Sequence, residues 1–158
     1  MKDKIVLIDG CRTPFLKSET DYLNTMTYEL AQLAIKGLLS KTGMDPNLVD
    51  SVVMGCVIST LKTSNLAREA ALGAGIPNST PCHTVSQACI SANRAIATAI
   101  SEIATGQSNI VIAGGADSAS ETPIGYKKHM RTKLMKGKKL KSTSDMIKFV
   151  LGFRPKDF

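Results

Sequence analysis

One cysteine lies where a predicted strand ends and a predicted helix begins, a position that could support nucleophilic chemistry. Cys89 stands in the segment HTVSQACISANRAIATAISEIATG, residues 83–106. The first turn of a helix carries backbone N–H groups without intrahelical partners and the positive end of the macrodipole. Ser86 is the expected N-cap, which places Cys89 in that first turn. A thiolate there is stabilised, and the same N–H groups can hold the oxyanion formed when a thiol attacks an acyl carbonyl.

Position alone leaves a second interpretation of this cysteine open. Small buried cysteines are common in protein cores, and Cys89 could be one of them. The chain also contains Cys11, Cys56 and Cys82, and no pair among the four has C-x-x-C spacing. This spacing disfavours zinc ribbons and thioredoxin-type sites, so we predict no metal site. We expect the other three to be reduced and mostly buried.

The elements that would position Cys89 alternate between strands and helices. Such alternation predicts an α/β fold with a largely parallel sheet covered by helices. In open sheets of this type, functional sites gather at the carboxyl ends of the strands. The third helix is expected to pack through one apolar face formed by Ile96, Ala99, Ile100 and Ile103. The predicted strands are residues 4–9, 51–58, 81–86 and 109–115, and the predicted helices are residues 27–43, 65–75 and 89–105.

Length and composition favour one globular domain with a basic end. The chain has 158 residues, of which 43% are hydrophobic, and it contains no apolar run long enough to span a membrane. No signal or transit peptide pattern is visible, which predicts a cytoplasmic protein. Residues 1–125 carry a net charge of −2 and residues 126–158 a net charge of +9. The basic excess of the chain therefore needs its own explanation.

The basic run at 127–141 has two possible roles from its residue types. It could be a solvated surface, or a contact for phosphate groups or an anionic membrane. Nucleic acid is disfavoured, because aromatic residues do not interleave with the lysines and no helix-turn-helix pattern is present. Of the two histidines, His83 is expected to be structural, and His129 to be solvated among lysines.

Four ordered motifs give the chain a family resemblance. They are RTPF at 12–15, NLAREAALGAGIP at 65–77, CISANRA at 89–95 and AGGADSAS at 113–120. Together they resemble the N-terminal part of the thiolases, enzymes that transfer acyl groups to coenzyme A. Many thiolases have Asn and Gly three residues before and after the reactive cysteine, whereas this chain has Ser86 and Ala92. With PIG at 123–125, this variation resembles the long-chain branch, which includes the β subunits of fatty-acid oxidation complexes.

The resemblance implies a fold and a domain organisation. Residues 1–120 would form the thiolase-like N-terminal α/β domain, with a sheet left incomplete. Residues 121–158 would begin the loop domain, and the C-terminal half would be absent. In the family that half supplies the activating His, a second acid/base Cys and an Asn-Glu motif, none of which is found in this sequence.

The implied activity is that of a 3-ketoacyl-CoA thiolase in fatty-acid β-oxidation. Cys89 would be the nucleophile that carries the acyl thioester, and coenzyme A would be a co-substrate, with no permanently bound cofactor. Two alternatives remain open: a catalytically inactive truncated thiolase, and a related condensing enzyme that also uses a cysteine at a helix start. The chain of 158 residues alone is expected to be inactive.

The implied ligands and partners follow from the same resemblance. A homodimer is expected for the full-length family, together with a possible hydratase/dehydrogenase α subunit. A mitochondrial or peripheral membrane location is the alternative to the cytoplasm, with the membrane contact made through 127–141. The candidates for binding the phosphates of coenzyme A are Lys127, Lys128, Arg131 and Lys133.

Overall fold

A computed structural model describes residues 4–60, 62–123, 125–138 and 140–154, which fall into two compact units divided after Pro123. The first unit is an α/β domain and the second consists of two helices. The first unit contains α1 (Thr27–Thr42), β1 (Ser51–Gly55), α2 (Leu66–Gly73), β2 (Cys82–Val85), α3 (Ser91–Ala104) and β3 (Val111–Gly115). The second contains α4 (Lys128–Gly137) and α5 (Thr143–Leu151).

The sheet of the first unit is parallel and has the strand order β2-β1-β3. The central strand β1 is buried along its whole length, as expected for a parallel strand covered on both faces. Val52 and Met54 belong to the core cluster that includes α1 and α2 residues. Val53 and Gly55 point to the opposite face because side chains alternate along a strand, and α3 covers that face. This architecture confirms the predicted α/β class and the parallel, unclosed sheet.

Local signals in the sequence explain where the helices begin and end. Gly43 closes α1 in the left-handed conformation, with a φ of 64°. The Asn65 side chain caps α2 by accepting a hydrogen bond from the Arg68 N–H, a role that asparagine favours. Two carboxylates hold the start of α1: Glu29 accepts from the Met26 N–H at 2.8 Å, and Glu121 accepts from the Thr27 N–H at 2.6 Å. Negative charge at a helix N-terminus also complements the macrodipole.

The predicted first strand at 4–9 is wrong for the described structure. The segment has the apolar composition of a strand, yet Val6, Leu7 and Ile8 are exposed and no described strand pairs with them. A strand forms only when its backbone groups find a partner, which the composition of the segment cannot guarantee. The segment is instead anchored by an ion pair of 2.7 Å between Asp9 and Lys41 of α1.

The predicted packing face of the third helix is also wrong in part. Ala95 and Ala99 are buried against the sheet, whereas Ile96 and Ile100 are 39% and 47% exposed. The small alanine side chains let α3 approach the sheet closely, so the larger isoleucines are turned outward. An apolar stripe is thereby left on the outer surface of the helix.

The close approach of α3 to the sheet depends on two glycines that end neighbouring strands in register, Gly55 of β1 and Gly115 of β3. A Cβ added to Gly55 would lie 2.3 Å from the Ser91 carbonyl carbon. One added to Gly115 would lie 2.8 Å from the Ala92 Cβ. A side chain at either position would therefore force the start of α3 away from the strand ends.

We expect Gly55→Ala to destabilise the chain by at least about 2 kcal/mol, because its Cβ would meet main-chain atoms that cannot rotate away. Gly114→Ala is the matched control in the adjacent strand. Its Cβ would meet the Met54 Sδ at 3.6 Å, an ordinary van der Waals contact. Urea denaturation followed by circular dichroism measures both free energies of unfolding. Equal losses in the two variants would contradict the close-approach argument.

Candidate functional site

The candidate site is the turn between β2 and α3, at the carboxyl end of the sheet. β2 ends at Val85 and α3 begins at Ser91, so Cys89 lies on the connection, and the cysteine is exposed. Ala88, immediately before it, has a φ of +46°. Residues with a Cβ rarely adopt this left-handed conformation, which costs about 1 kcal/mol or more. The reactive candidate is therefore presented on a strained strand-to-helix turn.

Hydrogen bonds within the turn hold that strained conformation. The Ser91 Oγ accepts from the Gln87 N–H at 2.8 Å and donates to the Ala88 carbonyl oxygen at 2.6 Å. The main chain adds bonds from the Ile90 N–H to the Gln87 carbonyl and from the Ser91 N–H to the Ala88 carbonyl. The Ser91 side chain is buried. The turn is thus closed by several short-range bonds on both sides of Cys89.

The predicted relation between Cys89 and the helix needs correction. The predicted helix at 89–105 begins two residues later, and Ile90 rather than Ser86 occupies the N-cap position. Cys89 therefore precedes α3 instead of lying in its first turn. The cause is the left-handed Ala88, which turns the chain sharply before the helix can start. The thiol stays next to the N-terminal end of the helix, but outside its hydrogen-bonded turns.

The loops after β1 and β3 are joined by one carboxylate at the same edge of the sheet. Asp117 accepts from the Val57 N–H at 2.9 Å and from the Ile58 N–H at 2.7 Å. The Cys56 thiol donates to the same Asp117 oxygen at 3.5 Å. Burial, and after it the negative charge of Asp117, raise the pKa of Cys56 to about 11. Cys56 is therefore a structural thiol, held protonated at neutral pH.

The remaining cysteines and His83 differ in their surroundings. Cys82, in β2, is half-buried, and burial raises the pKa of its thiol while the Arg68 guanidinium partly opposes that effect. Cys11 is exposed and only Cys56 is fully buried, so the expectation that most of the cysteines are buried is wrong.

His83 Nε2 lies 3.8 Å from the Glu102 carboxylate of α3, so the side chains of β2 and α3 approach each other here. No group of His, Cys, Asp and Glu suited to a metal occurs among the described residues.

The second unit contains the basic residues singled out in the sequence. Part of the 127–141 run forms α4, and one side of this helix borders an open, shallow surface region, called the α4 groove below. Of the candidate phosphate ligands, Lys128 and Lys133 line the groove, whereas Lys127 and Arg131 are not among its lining residues. The Lys133 ammonium donates to the Gly152 carbonyl at 2.7 Å, so it also secures the end of α5. The groove is lined by Lys128, His129, Thr132, Lys133 and Lys136.

Three residues of the site were not identified from the sequence. Gly55 and Gly115 both end apolar runs, but only the register of the strands shows that they face the same helix. The sequence places Ser91 in a helix and predicts no special role for it, because its side-chain hydrogen bonds depend on the left-handed turn. Short-range sequence patterns contain no signal for either relationship, since both arise from the meeting of separate elements.

Two exposed thiols, one half-buried thiol and one buried thiol give a testable order of reactivity. Cys89 is expected to react with iodoacetamide fastest at pH 7, because it is exposed and adjoins the N-terminal end of α3. Cys56 and Cys82 should label only at higher pH, since a raised pKa leaves less thiolate at neutral pH. Peptide mass spectrometry after timed labelling measures all four rates. Faster labelling of Cys11 than of Cys89 would remove the argument from the helix end.

Fold and site together define an α/β domain that presents an exposed thiol at the carboxyl edge of a parallel sheet. A family model described as Thiolase, N-terminal domain, matches residues 5–151. The match extends over most of the chain, and the chain belongs to the thiolase family as a representative of its N-terminal domain.

Individual relatives agree with this assignment. The mitochondrial trifunctional enzyme subunit beta of Bos taurus is 45% identical over 150 residues, covering 95% of this chain and 32% of that protein. A probable 3-ketoacyl-CoA thiolase of Caenorhabditis elegans is 43% identical over 144 residues, covering 91% and 32%. A Bacillus anthracis acetyl-CoA acetyltransferase structure superimposes with a TM-score of 0.66 at 34% identity, covering 69% and 28%. The chain thus spans about a third of the length of the curated relatives it matches.

Helices that could cross a bilayer are not found in the described part of the chain, where no helix combines the necessary length and apolar character.

Proposed function

We propose that this chain is the nucleophile-bearing part of a 3-ketoacyl-CoA thiolase. The observation that carries the proposal is the exposed Cys89 on its strained turn, within a chain that matches the thiolase N-terminal domain. The names of the relatives support a CoA thioester as substrate, since one is a probable 3-ketoacyl-CoA thiolase and another an acetyl-CoA acetyltransferase.

The proposed reaction is acyl transfer through a covalent thioester. The Cys89 thiolate attacks the 3-keto carbon of the substrate, and the bond between carbons 2 and 3 breaks. The electron pair goes to carbon 2, which takes up a proton, and acetyl-CoA leaves. The thiol of a second coenzyme A molecule then attacks the acyl group on Cys89. The bond between the acyl carbon and the Cys89 sulfur breaks, and the shortened acyl-CoA leaves. The proton of the coenzyme A thiol is transferred to the Cys89 sulfur, which regenerates the Cys89 thiol.

Proton transfer in this scheme needs groups other than those described around Cys89. His83 Nε2 faces the Glu102 carboxylate at 3.8 Å, and Cys56 is held protonated next to Asp117. By resemblance to the family, a histidine and a second cysteine of a C-terminal half perform these transfers. The exposed apolar stripe of α3, Ile96 and Ile100, supports the proposal that further polypeptide packs against this domain.

The partners and the cellular location are likewise proposals. One relative is named as the beta subunit of a trifunctional enzyme, which supports association with an α subunit of hydratase and dehydrogenase activity. A homodimer remains a prediction from the family resemblance. The cytoplasmic location predicted from the sequence is not confirmed, and the mitochondrial relatives support the alternative location instead.

The proposed role of the α4 groove is to bind the phosphate groups of coenzyme A. Lys128, Lys133 and Lys136 lie on one side of the helix, and a cluster of ammonium groups attracts polyanions. A contact with an anionic membrane through residues 127–141 is the second candidate. It is favoured by the exposed apolar side chains of α5, which include Met146, Ile147, Val150 and Leu151.

Replacing Lys128 and Lys136 by glutamine is expected to weaken coenzyme A binding at least about fivefold, because two of the groove's charges are lost. Replacing Lys17 and Lys36, which lie outside α4, removes the same charge and should change little. Titration calorimetry at about 50 and 300 mM salt measures the coenzyme A affinity of both double variants, and the affinity should fall with salt. Flotation of the same variants with anionic vesicles tests the proposed membrane contact. Salt-independent binding, or equal losses in the two pairs, would contradict the proposal.

A chimera tests the catalytic role of Cys89. This chain replaces the matching N-terminal third of the Bos taurus relative, and cleavage of a 3-ketoacyl-CoA is followed by the loss of its enolate absorbance. The chimera is expected to turn over, whereas Cys89→Ala should lower kcat at least about 10³-fold. Cys11→Ala, at the other exposed thiol, should leave kcat within about twofold.

The same assay separates the alternatives. The 158-residue chain alone should show no turnover, because removal of one positioned acid or base typically costs about 10²- to 10⁴-fold. A chimera that folds but shows no cleavage would favour the inactive domain. A chimera that condenses acyl-CoA but cannot cleave 3-ketoacyl-CoA would favour the condensing enzyme. Turnover that survives Cys89→Ala would refute the proposed nucleophile.

A further inference from the structure

One buried hydroxyl joins the two sides of the turn that carries Cys89. Ser91 is 2% exposed. Its Oγ accepts from the Gln87 N–H and donates to the Ala88 carbonyl oxygen, two groups that precede Cys89 in the chain. Ser91 itself follows Cys89. Its side chain therefore connects the main chain before the cysteine with the main chain after it.

The geometry points to Ser91 as a positioning residue for the Cys89 thiol, an inference that rests on the function proposed above. The conformation held by Ser91 is one that the chain would not adopt by itself, since Ala88 has a φ of +46°. Without the two side-chain bonds, only the main-chain bonds donated by the Ile90 and Ser91 N–H groups would oppose the return of Ala88 to negative φ. That rotation would turn the Ala88–Cys89 peptide and move the thiol with it.

The main chain of Ser91 is fixed more firmly than the turn it holds. Its carbonyl carbon lies so close to the end of β1 that a Cβ on Gly55 would be 2.3 Å away. The hydroxyl thus projects from an anchored backbone towards a turn that is exposed at Gln87, Ala88 and Cys89. An anchored hydrogen-bonding group beside an exposed turn is suited to fix the direction of the thiol.

Fixed direction matters because thiol attack on a carbonyl requires near-attack geometry. A misplacement of about 1 Å can cost about 10²-fold in rate. Ser91 touches neither the substrate carbonyl nor the leaving group in this scheme. Its effect is exerted through the position of Cys89, and it should therefore appear in kcat more than in KM.

The first test uses the unmodified chain and three variants, with the labelling rate of Cys11 as an internal reference. Ser91→Ala is expected to lower the ratio of Cys89 to Cys11 alkylation at least threefold, and Ser91→Thr, which keeps the hydroxyl, to restore most of it. Ser108→Ala removes another buried serine, whose hydroxyl lies near Glu102, and should leave the ratio unchanged. An unchanged or raised ratio in Ser91→Ala, or an equal loss in Ser91→Thr, overturns the inference.

A second measurement needs no variant and covers the case in which Ser91→Ala fails to fold. The Gln87 amide belongs to an exposed residue, yet it donates to a buried oxygen. Its hydrogen exchange, followed by NMR, should be at least tenfold slower than expected for an unprotected amide of the same sequence. Exchange at the unprotected rate means that the Ser91 bond is not formed, and the inference fails.

The chimera separates this inference from the proposed function. In an active chimera, Ser91→Ala should lower kcat about tenfold or more with KM changed less than threefold, and Ser91→Thr should recover kcat. A loss confined to KM overturns the positioning role. If the chimera with the unmodified chain is inactive, the proposed function fails, while the labelling ratio and the Gln87 exchange still decide whether Ser91 positions the thiol.

Discussion

The start of α3 lies against the ends of two parallel strands, at a distance that only glycine permits. Gly55 and Gly115 are paired in register, and each faces main-chain or Cβ atoms of Ser91 or Ala92. If either strand ended in a larger residue, α3 would have to move outward, and the turn before it would have to change. The placement of Cys89 therefore depends on the absence of a side chain at both strand ends.

From this contact the other features of the site follow in order. A helix that begins so close to the sheet leaves only five residues between Val85 and Ser91 for the reversal of direction. Ala88 accomplishes it by adopting positive φ, and Ser91 holds it there through two hydrogen bonds. The energy stored at Ala88 is offset by packing and bonding around it, the usual arrangement at functional sites. Exposure of the thiol is thus a consequence of the fold beneath it.

The sequence was a good guide wherever short-range patterns control the structure. Alternating strands and helices predicted the parallel sheet, and Asn65 and Gly43, at the ends of α2 and α1, are residue types that favour helix caps. It was a poor guide wherever the outcome depends on a partner distant in the chain. The apolar segment at 4–9 had the composition of a strand but no described neighbour to pair with, and Ile96 and Ile100 face outward because alanines pack inward.

The candidate site shows the same division at finer scale. Cys89 could be selected from its place between a strand and a helix, and its family resemblance followed from motifs along the chain. The start of α3 could not be predicted from the sequence, because alanine, unlike glycine, gives no indication that a residue will be left-handed. The Ser91 bonds exist only once that turn has formed. A candidate nucleophile can thus be recognised from the sequence. The groups that fix its position can be identified only from the packing of the strands and helix around it.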